Sequence, residues 1–175
     1  VLVRSLPDKP THNAILYVHG FNDYFFQKEQ AEIFKENGYA FYAVDLRKYG
    51  RAYLEHQKRG NLRDISEYFE DIDTCVKIIS ESHSNIILMG HSTGGLAAGL
   101  YADEYCETLL INGIILNSPF VDMNFSKMKK NPAVHFCSGL GSIFPDLKIK
   151  LKTDNHYAKT IHEDYYGEWS YNLEW

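Results

Sequence analysis

Along the chain, short uninterrupted apolar runs alternate with longer stretches whose apolar residues recur every three or four positions. Ala14-Ile15-Leu16-Tyr17-Val18 is a run of the first kind and stops at His19-Gly20. A run without polar alternation predicts a strand buried on both faces. A helix is predicted from about Phe25 to Asn37, with Gly38 at the position that favours a left-handed C-terminal cap. Tyr39 to Leu46, rich in aromatics and valine, predicts the next strand. The clearest helical period lies in Asn61 to Ser82, where Leu62, Ile65, Phe69, Ile72, Val76 and Ile79 make one apolar face and Asn61 is the expected N-cap. Asn85 to Met89 predicts a strand, Gly90 to Gly95 a tight turn, and Leu96 to Tyr105 a helix. Ile111 to Leu116 predicts another buried strand, closed by Asn117-Ser118-Pro119, and Val1 to Ser5 a short additional one.

Buried strands alternating with amphipathic helices place the chain in the α/β class, as a mostly parallel sheet with helices on both faces. Beyond Pro119 the rhythm stops, and Asn131-Pro132, the Gly-rich Ser138-Gly139-Leu140-Gly141 and many aromatics take over. Residues 1–121 therefore read as the core, and 122–175 as a partial, mostly helical cap in which Lys127, Lys129 and Lys130 form a solvated face. If Ile111 to Leu116 were the last strand, an apolar edge would stand bare. The pattern thus predicts that C-terminal strands are missing from this sequence and belong beside it, from more of this chain or from another. The alternative is a remnant that cannot turn over substrate.

The 175 residues amount to about one domain. With 18 basic and 23 acidic residues the net charge is −5, which argues against nucleic acid or an anionic membrane surface as partner. No apolar run approaches the about 20 residues that span a bilayer, so no integral membrane segment is expected. Cys75, Cys106 and Cys137 form no Cys-x-x-Cys pair and suggest neither a disulfide framework nor a zinc site. They fit a reducing, cytoplasmic setting.

The chemistry concentrates at Gly90-His91-Ser92-Thr93-Gly94, a Gly-x-Ser-x-Gly sequence between an apolar strand and a small-residue helix. A nucleophile on such a strand-to-helix elbow sits in a strained conformation, and its neighbours two positions away must be small for strand and helix to approach. Gly90 and Gly94 meet that demand. Ser92 is the expected nucleophile, at the carboxyl end of the sheet, where the new helix aims its first N–H groups at a developing oxyanion. His19-Gly20-Phe21 follows the first clear strand, where a second oxyanion donor is required. The backbone N–H groups of Phe21 and Thr93 are the expected pair.

These pieces resemble the α/β-hydrolase superfamily, and within it the monoacylglycerol-lipase and lysophospholipase-like serine hydrolases. The resemblance rests on Tyr17-Val18-His19-Gly20-Phe21, on Gly38-Tyr39 leading to Val44-Asp45-Leu46-Arg47, on Gly90 to Gly95, and on Leu116-Asn117-Ser118-Pro119, and covers residues 13 to about 120. One departure is Lys48-Tyr49-Gly50-Arg51-Ala52, where this group usually has Gly-His-Gly-Arg-Ser; the shape of that loop is left open. The resemblance implies hydrolysis of a small-molecule carboxylic ester with an apolar acyl group, through an acyl-enzyme on Ser92 and without metal or organic cofactor. It also implies that His19, His91 and Gly20 shape the loops around the elbow. Peptidase, thioesterase and carbon–carbon hydrolase chemistry share the scaffold, and an inactive binding module is the non-enzyme alternative.

The family's Asp or Glu and its His follow later strands, and after the strand Ile111 to Leu116 no strand is found that would deliver them. His135, His156 and His162 are the histidines available there. His162 with Asp164 reads as an exposed polar pair on a cap helix, so no general base is assigned. Asp45 reads as a strand-end carboxylate bonded to loop N–H groups, and Asp23 as a loop cap. The aromatics from Tyr165 to Trp175 fit either an acyl pocket or ordinary core.

Overall fold

Five strands form one sheet in the order β1-β3-β2-β4-β5, in a computed structural model that describes residues 1–105, 107, 110–122, 127–144, 159–160, 162–165, 167–168 and 170–171, with the side chains of 127–131 and 133–134 excepted. The strands are β1 (Leu2–Ser5), β2 (Asn13–Val18), β3 (Ala40–Val44), β4 (Asn85–His91) and β5 (Gly113–Asn117). β1 runs antiparallel to β3, and every other pairing is parallel. The register sets Val18 beside Val44 and Gly90, and His91 beside Asn117. His19, Asp45 and Ser92 therefore leave the sheet at one edge. From central β2 the chain moves to β3 on one side, then returns to β4 on the other. The crevice between the ends of β2 and β4 is the switch point where ligands of open α/β sheets bind.

The helices are α1 (Lys28–Glu36), α2 (Glu67–Ser80), α3 (Thr93–Glu104) and α4 (Lys127–Ile143). Alternate residues of each strand serve opposite faces. Ala14, Leu16, Val18, Tyr42 and Val44 pack with Ile72 and Val76 of α2 and Ala97 and Tyr101 of α3. Ile15, Tyr17, Phe41 and Ala43 pack with Phe25 and with Ala31 of α1. Helices thus cover both faces, as the pattern requires.

Several boundaries differ from expectation, each for a local reason. α2 begins at Glu67 rather than after Asn61, because side chains take the preceding backbone donors. Glu67 accepts the N–H of Arg63 at 3.0 Å, and Asp64 accepts the N–H of Ser66 at 2.9 Å. Leu62 and Ile65 nonetheless pack against the core. α1 starts at Lys28, since the Phe25 N–H is given to Asp45. β4 runs on through Gly90 and His91, and α3 starts at Thr93, which compresses the predicted turn to Ser92. β5 begins at Gly113, and Asn112 bonds both ways with Ile86 just before it. The expected burial of this strand on both faces is corrected. Ile114, Ile115 and Leu116 are exposed, and β5 has no outer neighbour among the described residues.

The chain divides into two compact units. The first runs over Val1–Val121 and takes back Ser170 and Tyr171 from the end of the chain; the Tyr171 ring stacks on Phe26 at 4.4 Å. The second, Asp122–Trp169, contains α4 with Pro132 inside it. Among the described residues no helix is long and apolar enough to cross a membrane.

Candidate active site

Ser92 holds the strained position that the motif demands, at φ 53° and ψ −120°, between the last residue of β4 and the first of α3. A non-glycine residue there stores about 1–3 kcal/mol and persists only where its surroundings enforce it. Three contacts do so. The Ser92 N–H donates to the carbonyl of Asn117 at 3.1 Å, and the Ser92 carbonyl accepts from Phe120 at 2.9 Å and from Leu96 at 3.2 Å. The glycines make the crossing possible. A Cβ on Gly90 would lie 2.5 Å from the Gly94 carbonyl oxygen, and one on Gly94 would strike the carbonyls of Val18 and His19. Gly95 faces Pro119 in the same way, at 3.1 Å.

The loop after β2 passes beside the elbow. A Cβ on Gly20 would sit 3.2 Å from Cβ of Ser92. Asn22 turns that loop at φ 51°, and its far end is tied to β3 by Asp45, which is 1% exposed. Asp45 accepts the Phe25 N–H at 3.1 Å, the Arg51 N–H at 3.0 Å and the Arg51 guanidinium at 2.7 Å. Arg51 also donates twice to the Phe25 carbonyl, each at 3.1 Å. Gly50, at φ 44°, lets the chain turn there: a Cβ would lie 2.6 Å from Tyr24 and 2.8 Å from Asp45. The loop that departs from the family pattern thus keeps the Gly50-Arg51 pair for this clamp.

His19 is fully buried and carries two bonds. Its Nε2 accepts the Leu46 N–H at 3.1 Å, which makes Nδ1 the donor to the Gly20 carbonyl at 2.7 Å. Burial holds its pKa down at about 4, so it stays neutral and links the ends of β2 and β3. Asp23 accepts the Tyr24 N–H at 2.8 Å. Burial pushes its carboxyl up to about 6, against the pull of the Tyr24 and Gly20 N–H groups and of His91. Nδ1 of His91 is buried without a hydrogen-bond partner among the described residues.

A cavity of about 250 Å³ opens beside the elbow, lined by Gly20, Phe21 and Thr93 at one end and by Leu46, Tyr49, Gly60, Leu62, Ile65 and Tyr68. Phe21 and Thr93, far apart in sequence, therefore border one space. The phenols of Tyr49 and Tyr68 share a hydrogen bond, and burial raises the pKa of both. The contributions of Leu62 and Ile65 could not be read from helical period alone, because both precede the helix and face the cavity from a turn.

The remaining histidines stand apart from this chemistry. Among the described residues none bonds the Ser92 hydroxyl. His135 is exposed on α4, and His156 lies outside the described residues. The exposed-pair reading of His162 and Asp164 is corrected: His162 is buried, and its Nδ1 accepts the Asp164 N–H at 3.1 Å inside a turn closed by Tyr165 and Gly167.

Residues 9–164 match the family described as serine aminopeptidase, S33. The chain is 31% identical over 144 residues to phospholipase YtpA of Bacillus subtilis, covering 81% of this chain and 52% of that protein. It is 33% identical over 119 residues to a monoacylglycerol lipase of Mycolicibacterium smegmatis, covering 66% and 41%. Among solved structures, the monoacylglycerol lipase of Paleococcus ferrophilus superposes with a TM-score of 0.66 at 25% identity, over 88% of this chain and 56% of that one. A monoglyceride lipase of Saccharomyces cerevisiae shares the fold at a TM-score of 0.68 and 20% identity, over 89% and 52%. The chain spans about half the length of the curated relatives it matches. The match over residues 9–164 and the likeness to the phospholipase, on a fold shared with the lipase structures, make this chain a member of the serine aminopeptidase S33 family, an α/β-hydrolase of the monoacylglycerol-lipase and lysophospholipase type.

Proposed function

We propose that the protein is a serine hydrolase of carboxylic esters with apolar acyl groups, and that Ser92 is its nucleophile. The observation that carries this reading is the strained Ser92 at the start of α3, beside an apolar cavity bordered by Phe21 and Thr93. The Ser92 Oγ adds to the ester carbonyl carbon, and its proton passes to a base supplied from outside the described residues. The N–H groups of Phe21 and Thr93 hold the oxygen as it gains charge, each worth about 3 kcal/mol. Collapse expels the alkoxide, which takes the proton, and leaves an acyl-Ser92; water then reverses the sequence and releases the acid. His19, His91 and Gly20 shape the loops, and the second unit is read as a cap. The relatives named as a phospholipase and a monoacylglycerol lipase support an acyl ester as substrate. Among the described residues that line the cavity there is no carboxylate that would pair with the amino terminus of a peptide.

Ser92→Ala in the full chain tests the assignment. Ester hydrolysis is expected to fall by at least about 10⁴-fold, and labelling by an alkyl fluorophosphonate to disappear. Retained turnover, or a label on another residue, removes Ser92 from the mechanism.

A further inference from the structure

We propose that the side-chain hydroxyl of Thr93 is a third donor to the developing oxyanion, beside the N–H groups of Phe21 and of Thr93 itself. The proposal rests on the reading of Ser92 as nucleophile and goes past it, because it adds a side chain to a hole otherwise made of backbone. Thr93 is half-buried and borders the cavity together with Gly20 and Phe21. Its hydroxyl makes no hydrogen bond among the described residues. Hydroxyls elsewhere in the helices are spent on the backbone. Thr74 donates to the Glu70 carbonyl at 2.7 Å, Ser80 to that of Lys77 at 2.8 Å and Ser142 to that of Ser138 at 2.9 Å. Each uses a carbonyl three or four residues back. For Thr93, the first residue of α3, those carbonyls belong to Met89 and Gly90 in extended β4, so the helix gives it no such acceptor.

The hydroxyl and the N–H of Thr93 stand on one residue. An oxygen that accepts from the N–H is therefore within reach of the hydroxyl, whose hydrogen rotates to meet it. A substrate seated in the cavity takes water away from this hydroxyl, and a donor left unpaired in a closed site is costly. The acceptor beside it is the ester's carbonyl oxygen. A neutral carbonyl receives an ordinary bond, and an oxyanion receives a charge-assisted one about twice as strong. The gain falls on the transition state, and so on kcat more than on KM. The hydroxyl keeps its proton throughout; the proton of Ser92 still goes to the base.

The test uses Thr93→Val, Thr93→Ala and Thr93→Ser in the full chain, with a p-nitrophenyl ester as substrate and an alkylboronic acid as inhibitor. Valine keeps the shape and loses the hydroxyl, alanine loses both, and serine keeps the hydroxyl. For the valine and alanine variants kcat is expected to fall by at least about tenfold, toward the about 10²–10³-fold of a lost oxyanion donor. KM is expected to hold. In the boronate, boron accepts a lone pair of the Ser92 Oγ and becomes tetrahedral, with a boron-bound oxygen in the hole, so its Ki is expected to rise as kcat falls. Thr93→Ser is expected to recover most of both losses. The guanidinium midpoint of Thr93→Val is expected to match that of the wild type, because the hydroxyl holds nothing in the free protein. Should valine lower the midpoint, the alanine variant decides. Wild-type kcat and Ki without the hydroxyl overturn the proposal and leave Ser92 as nucleophile. A Thr93→Ser protein as slow as Thr93→Val also overturns it, since the loss would then be one of packing. A wild-type protein neither labelled at Ser92 by a fluorophosphonate nor active on any ester removes both readings.

Discussion

At the residue scale, the two faces of α3 separate glycines that are required from one that is not. Gly94 lies under the carbonyls of Val18 and His19, and no rotamer of an added methyl escapes backbone atoms. Gly99, on the same helix, has open space where its Cβ would be. Gly94→Ala is expected to cost about 3 kcal/mol, the upper part of the usual overpacking range, and to remove fluorophosphonate labelling, because β2 and α3 must part. Gly99→Ala is expected to stabilise by up to about 1 kcal/mol through helix propensity alone. Guanidinium unfolding of the pair checks both; equal midpoints would mean that the elbow relaxes freely. The need for a small residue at position 94 is legible in the sequence, since Gly-x-Ser-x-Gly encodes close packing. The burial of Asp45 under Arg51 is less so: a carboxylate after a strand tells that N–H groups will be near, but not that a guanidinium six residues later closes the ring.

At the element scale, the loop after β2 is held by partners from other segments rather than by its own turns. Arg51 bridges the Asp45 carboxylate and the Phe25 carbonyl, so the 3-10 turn Gly50–Ala52 braces the stretch that carries Phe21. Arg51→Ala leaves a buried carboxylate with only backbone donors and is expected to cost about 3 kcal/mol, the low end for stripping one partner from a buried ion pair. Because Arg51 acts through the loop, kcat on a small ester is expected to fall while KM holds. Arg51→Lys, which keeps the charge but loses the two-pronged grip, is expected to recover only part of kcat. An unchanged kcat in Arg51→Ala would show that the loop keeps its shape without the clamp. The same long-range bonding explains which elements could be read from sequence. The strands and the core of α2 follow from periodicity, because one face must be buried whatever the loops do. The starts of α1 and α2 do not: Phe25 gives its N–H to Asp45, twenty positions on, and Glu67 and Asp64 intercept donors that Asn61 was expected to organise. The cavity escapes detection for the same reason, since Leu62 and Ile65 continue the apolar period but leave the helix.

At the scale of the whole molecule, the buried His19 and the half-buried Asp23, both at the end of the sheet, titrate in opposite directions. Burial lowers His19 from 6.5 to about 4 and raises Asp23 from 3.8 to about 6. Between about pH 4 and 6.5 the unfolded chain carries a proton on His19 that the folded protein refuses, so this group makes stability rise with pH. From about pH 3.8 to 6 the folded protein keeps a proton on Asp23 that the unfolded chain has lost, so stability falls with pH. Each slope is at most about 1.4 kcal/mol per pH unit, and their signs are opposite. In the wild type the two largely cancel between pH 4 and 6. Asp23→Asn removes only the falling contribution. Its stability relative to wild type is therefore expected to grow as pH rises from 4 to 6 and to level off above that, read as guanidinium midpoints at half-unit steps. Ionisable groups common to both proteins drop out of the difference. A difference that is flat across this window would mean that Asp23 ionises in the folded state as it does in the open chain, and that the loop carrying Phe21 is wetter than its packing implies. A difference that instead falls as pH rises, and only below about pH 4, would place the carboxyl below its ordinary value, with the Gly20 and Tyr24 N–H groups outweighing burial.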